Sequence, residues 1–333
     1  MAIVVSDKPP RQDPKVNTLN SPYLPCFLAL ALGVVAPFFL YPVFVMELMC
    51  FALFAGAFNL LLGFGGLLSF GHACFFGSAA YLCGHALKVW GFPPEAGILL
   101  GTAGAGVLGL AIGAVAIRRQ GIYFAMVTLA LAQIVFFTCL QLPQSGGEDG
   151  LQGIPRGSLF GVVDLAATVD LGYGPMPLAL YAFVLAVTCA GHWLIWRTVH
   201  SPFGKALKAI RENEARALSL GYRVDAYKLT AFVLSAALSG LAGSTKALVV
   251  GLASLSDVSW HMSGEVVLMT LLGGMGTLLG PVVGAVLVVT LHHELSSLGS
   301  WVTVTIGTIF VLCVMAFRRG IVGEIVHRMK RSF

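Results

Sequence analysis

Long apolar runs follow one another through most of this chain and constrain its fold more than any other feature. Only 11% of the 333 residues are charged, which is too few to cover a water-soluble surface. A bilayer crossing needs about 20 apolar residues, so the sequence predicts an all-α, polytopic membrane bundle of about ten transmembrane helices. The candidate spans are 23–41, 43–63, 67–87, 96–117, 121–142, 177–197, 228–250, 258–274, 278–294 and 299–317.

The distribution of basic residues decides how the apolar stretch 258–294 is divided, because LLGGMGTLLGP interrupts it. If the interruption is a cytoplasmic turn between two spans, both termini are cytoplasmic and only Lys88, Arg156 and Lys246 depart from the positive-inside rule. A single span would place the basic C-terminal tail outside, so we predict two spans. The predicted regions are a cytoplasmic tail at 1–22, a transmembrane domain at 23–317 and a basic cytoplasmic tail at 318–333.

Two glycine-rich sequences resemble each other. LLGFGGLL at 61–68 and LLGGMGTLL at 271–279 are each predicted to be a tight cytoplasmic turn between two spans. Such a pair indicates either an internal transporter repeat or a chance similarity of Gly- and Leu-rich helices. At the opposite side of the membrane, the acidic loop 143–176 is the longest predicted outer loop.

The cytoplasmic loop 198–227 concentrates charge in an otherwise apolar chain. Ser201 and Pro202 are typical of a helix start and Gly221 of a helix end, and apolar residues recur between them at three- and four-residue steps. We predict one amphipathic helix of roughly 18 residues. It could lie on anionic lipid, dock on a partner protein or be a solvated linker; the mixed charges of Arg211, Glu212 and Glu214 favour docking.

Four stretches in order carry a family resemblance. They are GLLSFGHACFFGSAAY (66–81), GIYFAMVTLALAQI (121–134), SPFGKALKAIRENEARALSLGY (201–222) and LLGGMGTLLGPVVGA (271–285). Together they resemble the LivM-type permeases of the branched-chain amino acid ABC importers, over about residues 43–323. The resemblance implies a bacterial inner-membrane permease that moves branched-chain amino acids, or a related small solute, by alternating access.

The same resemblance implies that loop 198–227 contains the coupling helix, which sits in a cleft of an ATPase subunit. The matching positions are Gly204, Lys205, Leu207, Ile210, Arg211, Glu212, Glu214, Arg216 and Gly221. One departure from the importer pattern is that Arg216 follows Glu214-Ala215 and the glycine comes one position late, at Gly221.

The chain lacks the nucleotide-binding motif GxxxxGK[ST], so we predict no cofactor here and ATP on partner subunits. The partners that the resemblance implies are two ABC ATPase subunits, a second, LivH-type permease and a periplasmic binding protein, together with the lipid bilayer; no nucleic acid is expected. The alternative function is a secondary transporter or channel that needs no ATPase.

Polar residues within spans are candidates for the translocation path, since burying them in lipid is costly. They are Asn59, Ser69, His72, Thr128 and Gln133. For each, the simpler interpretation is a hydrogen bond that holds neighbouring helices together.

Three charged residues lie near the predicted outer ends of their spans. Lys246 could pair with Glu47 or Glu265, reach the membrane interface, or grip a zwitterionic amino acid. His292 and His293 are adjacent rather than three or four residues apart, so we predict no metal site. No catalytic arrangement can be assembled, and we predict that the chain is not an enzyme.

Overall fold

The computed structural model describes residues 33, 36–38, 40–159, 161–170, 175–295, 299, 301–316 and 320–324. The predicted tails 1–22 and 318–333 and the first predicted span, 23–41, lie wholly or mostly outside these residues. The described helices are α1 (Pro42–Asn59), α2 (His72–Lys88), α3 (Pro94–Ala116), α4 (Ile122–Gln141), α5 (Leu178–His200), α6 (Pro202–Glu212), α7 (Glu214–Ser219), α8 (Val224–Val250), α9 (Trp260–Gly273), α10 (Gly280–Leu295) and α11 (Val302–Ala316).

Five of the described helices are long and apolar enough to cross a membrane. They are α1 with its extension to Phe64, α3, α4, α5 and α8. The stretch 258–294 forms two helices, α9 and α10, as the charge distribution predicted. A mostly helical fold is therefore confirmed, whereas the count of about ten spans and the cytoplasmic termini stay predictions.

Helix α8 forms the centre of the bundle, where it packs against α1, α2 and α3. Small residues allow this close approach, as in membrane helices generally. A Cβ added at Gly243 would lie 1.9 Å from the carbonyl oxygen of Phe76, and one at Gly240 would lie 2.3 Å from Cβ of Ala105. Small residues of α3 therefore face α8, because a Cβ at Gly109 would likewise lie 2.5 Å from Cβ of Ala236.

Both glycine-rich sequences form breaks at one end of the bundle. Helix α1 continues as a π-helical turn at Leu60–Phe64, and Gly66 then reverses the chain with a φ of 71°. Between α9 and α10, Gly274 and Gly276 have φ values of 117° and 77°. Positive φ is readily adopted only by glycine, so these residues make the two sharp turns.

The opposite end of the bundle contains short strands, which corrects the prediction of a purely α fold. Within 143–176 and after α8 lie β1 (Leu151–Gln152), β2 (Ser158–Leu159), β3 (Val163–Asp164), β4 (Val169–Asp170), β5 (Pro175–Met176) and β6 (Leu252–Ala253). All pairs are antiparallel: β1 with β6, β2 with β3 and β4 with β5. Backbone groups in a long loop need hydrogen-bond partners, and these pairings supply them.

Candidate functional site

The site begins where the chain turns from α5 into α6. Pro202 occupies the first turn of α6, and the backbone N–H of Gly204 donates to Oγ of Ser201 over 3.3 Å. A Cβ at Gly204 would lie 2.4 Å from the carbonyl oxygen of Val199, so this corner requires glycine. Leu207 and Ile210 are buried on the inner face of α6. The predicted start of the helix is confirmed.

The predicted single helix of roughly 18 residues is wrong, because Asn213 divides it into α6 and α7. Asn213 is extended, with φ −155° and ψ 96°, and its Oδ1 accepts from the backbone N–H of Arg216 over 2.9 Å. Asparagine is a strong N-cap residue, and this local hydrogen bond competes with a continuous helix. Gly221 follows α7 with a φ of 85°, so the predicted end is confirmed. We call residues 201–222 the coupling segment.

Arg211 connects the coupling segment to the first glycine-rich break. Its Nη1 donates to the carbonyl oxygen of Gly63 in the π-helical turn, and its aliphatic stem lies against Gly66. The sequence predicts that Arg211 lies on a partner surface. Its guanidinium contacts this chain's own backbone while the residue stays exposed, so a contact with a partner stays a prediction.

Asn59 joins the first break to the second. Its Nδ2 donates to the carbonyl oxygen of Thr277 over 2.8 Å, and its Oδ1 accepts from the backbone N–H of Gly276 over 2.9 Å. A Cβ at Gly63 would lie 2.1 Å from this Oδ1 and 2.5 Å from the Gly276 nitrogen. The two similar sequences therefore meet at a tightly packed junction, which we call the glycine junction (Asn59, Gly63, Gly276 and Thr277).

Glu214 also faces inward. Its Oε1 lies 2.7 Å from Nζ of Lys228, a buried residue on α8, and accepts from Nε2 of Gln120 over 3.1 Å. Neither contact could be found from the sequence. Gln120 is 94 residues from Glu214, and Lys228 lies beyond the coupling segment in a stretch with no recognisable motif. The pair fixes α7 to the start of α8.

The remaining face of the coupling segment is open to solvent. Leu218 and Leu220 are 66% and 70% exposed and lie beside exposed charges. Lys205, Glu212 and Arg216 are exposed too, as predicted for a docking surface. We call this mixed apolar and charged patch the docking face; that a partner protein binds it stays a prediction.

The predicted translocation-path residues lie away from solvent. His72 Nε2 is 2.8 Å from Oγ of Ser235, which donates to the carbonyl oxygen of Ala57 over 2.6 Å. The Oγ of Ser69 accepts from the N–H of Gly71, and Thr128 donates to the carbonyl oxygen of Ala125. In this conformation His72 joins α2 to α8 and, through Ser235, to α1, whereas the bonds of Ser69 and Thr128 are local. Gln133 is half-buried on α4, and a role in the path stays a prediction for the whole set.

Lys246 has a partner that sequence analysis did not consider. Its Nζ lies 2.6 Å from Oδ1 of Asp257, in the 3₁₀ turn Leu255–Val258. Of the alternatives that the sequence left open, an ion pair is present, but with Asp257 rather than with Glu47 or Glu265. The turn folds back over the end of α8, which brings Asp257 within reach although it lies beyond the predicted span.

A bundle with five membrane-length helices, with broken helices at one end and an exposed amphipathic segment beside them, is the architecture of a helical membrane protein. The chain belongs to the family described as branched-chain amino acid transport system / permease component, which matches residues 43–317.

Individual relatives agree with this family. The chain is 31% identical to the high-affinity branched-chain amino acid transport system permease protein LivM of Salmonella typhimurium and 30% identical to that of Escherichia coli, in each case over 77% of this chain and 64% of the relative. It is 29% identical to the autoinducer 2 import system permease protein LsrC of Klebsiella pneumoniae, over 50% of this chain and 46% of the relative. The chain thus spans about two thirds of the length of the LivM relatives. No solved structure matches it.

Proposed function

We propose that this protein is the membrane permease subunit of an ABC importer for branched-chain amino acids in a bacterial inner membrane. It works with two ATPase subunits that bind ATP, a second, LivH-type permease and a periplasmic binding protein. The observation that carries the proposal is the docking face, because it lies on a segment that is linked through Arg211 to the glycine junction.

The contacts suggest how ATP hydrolysis on partner subunits drives transport. The ATPase subunits bind the docking face, so their closure displaces α6 and α7. Arg211 transfers this displacement to the carbonyl group of Gly63, and Asn59 transfers it to the turn between α9 and α10. Helices α1, α9 and α10 then change their packing together, which is the rigid-element movement that alternating access needs.

The substrate class rests on the relatives. Two relatives named for branched-chain amino acid transport match 77% of the chain, whereas the match to the autoinducer 2 permease covers 50%. We therefore assign leucine, isoleucine and valine as the cargo, with both termini on the cytoplasmic side together with the coupling segment.

The test is copurification of this chain with its ATPase subunits, followed by leucine uptake into vesicles. The double variant Arg216→Glu/Leu218→Asp changes two exposed docking-face residues. It should weaken ATPase association by about tenfold or more, as expected for loss of an interface hot spot. The matched control is Arg118→Glu, an exposed residue outside the coupling segment, which should leave association unchanged.

Two results would contradict the proposal. One is normal assembly and uptake by the double variant. The other is leucine accumulation by vesicles that contain this chain but hydrolyse no ATP.

A further inference from the structure

A cavity of about 430 Å³ lies at the end of the bundle opposite the coupling segment. Its walls come from α1, α8, the turn Leu255–Val258, α9 and α10. The volume falls within the range of small-molecule sites, about 300–1,000 Å³. We call it the outer-end cavity.

Its wall has two kinds of surface. Charged or titratable side chains line one part: Glu47, Lys246, Asp257, His261, Glu265, His292 and His293. An apolar wall lies beside them, formed chiefly by Phe51, Met269, Val288 and Val289. A site that places opposite charges next to an aliphatic surface is complementary to a zwitterion with an aliphatic side chain.

Lys246 is the cationic group of the cavity. One of its three N–H donors is directed to Asp257, and the ammonium lies over two aromatic rings, 5.0 Å from the centroid of Phe51 and 5.7 Å from that of Phe76. A lysine within a membrane-length helix is costly and therefore a functional candidate. It remains able to donate to a ligand carboxylate.

Glu265 is the acidic group that complements Lys246. Its Oε1 lies 3.9 Å from Nε2 of His292, which is too far for a hydrogen bond. The cavity wall contains three carboxyl groups, of which Asp257 is held by Lys246, so acidic side chains outnumber the one lysine. Within the described residues, no group of three or more His, Cys, Asp or Glu side chains could hold a metal ion. An ammonium group fits Glu265 better than a metal cation does.

We propose that the outer-end cavity binds an α-amino acid with an aliphatic side chain, its ammonium against Glu265 and its carboxylate against Lys246. The side chain lies on Met269, Val288 and Val289. This inference deepens the proposed function and rests on it for the direction of transport. According to this inference, the permease subunit itself binds the substrate on the translocation path.

The cavity is linked to the coupling machinery through shared helices. Helix α1 carries Glu47 at the cavity and Asn59 at the glycine junction, and α9 carries Glu265 eight residues before its end at Gly273. At about 1.5 Å per residue, these separations correspond to roughly 18 Å and 12 Å. Helices α1 and α9 therefore each connect the cavity to the glycine-rich breaks.

The experiment measures binding of tritiated L-leucine to the full chain, assembled with its ATPase subunits in lipid nanodiscs, at concentrations up to about 1 mM. Glu265→Gln should weaken binding by about tenfold or more, because it removes the charge that faces the ammonium. Glu294→Gln is the matched control: the same change at an exposed residue of α10 outside the cavity wall should leave binding unchanged.

Two leucine analogues test the same contacts without any mutation. 4-Methylpentanoate lacks the ammonium and leucinamide lacks the carboxylate, so each should compete at least about tenfold more weakly than leucine. The inference is overturned if wild-type protein binds no leucine saturably, if Glu265→Gln binds as tightly as wild type, or if 4-methylpentanoate competes as well as leucine.

Parallel measurement of ATP-driven leucine uptake separates this inference from the proposed function. If the wild-type protein takes up leucine but binds no leucine saturably, the cavity assignment is overturned and the proposed function stands. Saturable leucine binding that depends on Glu265, without uptake, would retain the cavity site and contradict the importer.

Discussion

The two ends of the bundle use polar side chains in different ways. At the coupling end, Arg211 and Asn59 bond to backbone groups of the glycine-rich breaks. At the opposite end, Lys246 bonds to another side chain, Asp257, beside a cavity. Helix α8 runs between the ends; its 27 residues span about 40 Å at 1.5 Å per residue.

This difference corresponds to two tasks. A bond from a side chain to the backbone fixes the position of the turn, so a displacement of α6 must move the chain that it holds. A pair of side chains beside a cavity can exchange one partner for a ligand group without moving the backbone. We interpret the first arrangement as suited to mechanical transmission and the second as suited to reversible binding.

The largest expected effect comes from breaking the ion pair of the outer-end cavity. Lys246→Met leaves Asp257, whose side chain is 3% exposed, as a buried charge without its partner. Removal of one member of a buried pair costs about 3–5 kcal/mol. We expect a large fall in thermal stability of the purified protein, measured by the loss of monodisperse protein after heating.

The double variant Lys246→Met/Asp257→Asn is the control for this effect. It removes both charges, and most of the stability should return because no isolated buried charge remains. If the single variant is as stable as wild type, the pair does not hold this end of the bundle. The contrast between the two ends would then be lost.

The next effect concerns the glycine junction. Gly63→Ala places a Cβ 2.1 Å from Asn59 Oδ1 and 2.5 Å from the backbone nitrogen of Gly276, so atoms on both breaks must move. Overpacking of this kind costs about 1–3 kcal/mol. We expect lower thermal stability together with a loss of ATP-driven uptake, since the coupling path crosses this contact.

Gly264→Ala is the matched control, because a Cβ at Gly264 in the middle of α9 would meet nothing within 4 Å. It should be neutral or stabilising by up to about 1 kcal/mol, as for glycine replacement within a helix. Equal effects of the two substitutions would argue against a tight junction between the breaks.

The features predicted from sequence are those that depend on nearby residues. The five membrane-length helices follow from apolar runs, the start of α6 from Ser201 and Pro202, and the division of 258–294 into two helices from glycines and charge. The contacts that define both ends could not be predicted, because they join distant positions. Asn59 and Thr277 are 218 residues apart in sequence, and Arg211 and Gly63 are 148 apart.

The Lys246–Asp257 pair shows a different limit of the sequence. The two residues are only 11 apart, but a turn beyond the span brings them together. Periodicity within the apolar run contains no information about that turn. The similarity of the two glycine-rich sequences did indicate related turns, although not that they touch.

The smallest expected effect concerns the division of the coupling segment at Asn213. Asn213→Ala removes the side-chain acceptor for the backbone N–H of Arg216, and loss of an N-cap costs about 1 kcal/mol. Asn213→Asp keeps an acceptor at the same place and should retain wild-type stability.

Glu214 on α7 forms an ion pair with Lys228 on α8, so a loosened α7 should transmit movement less well. We therefore expect Asn213→Ala to lower uptake by a few fold while leaving leucine binding at the outer-end cavity unchanged. Reduced uptake with unchanged binding would separate the two ends of the molecule functionally; an equal loss of both would mean that the coupling segment stabilises the whole bundle rather than transmitting movement.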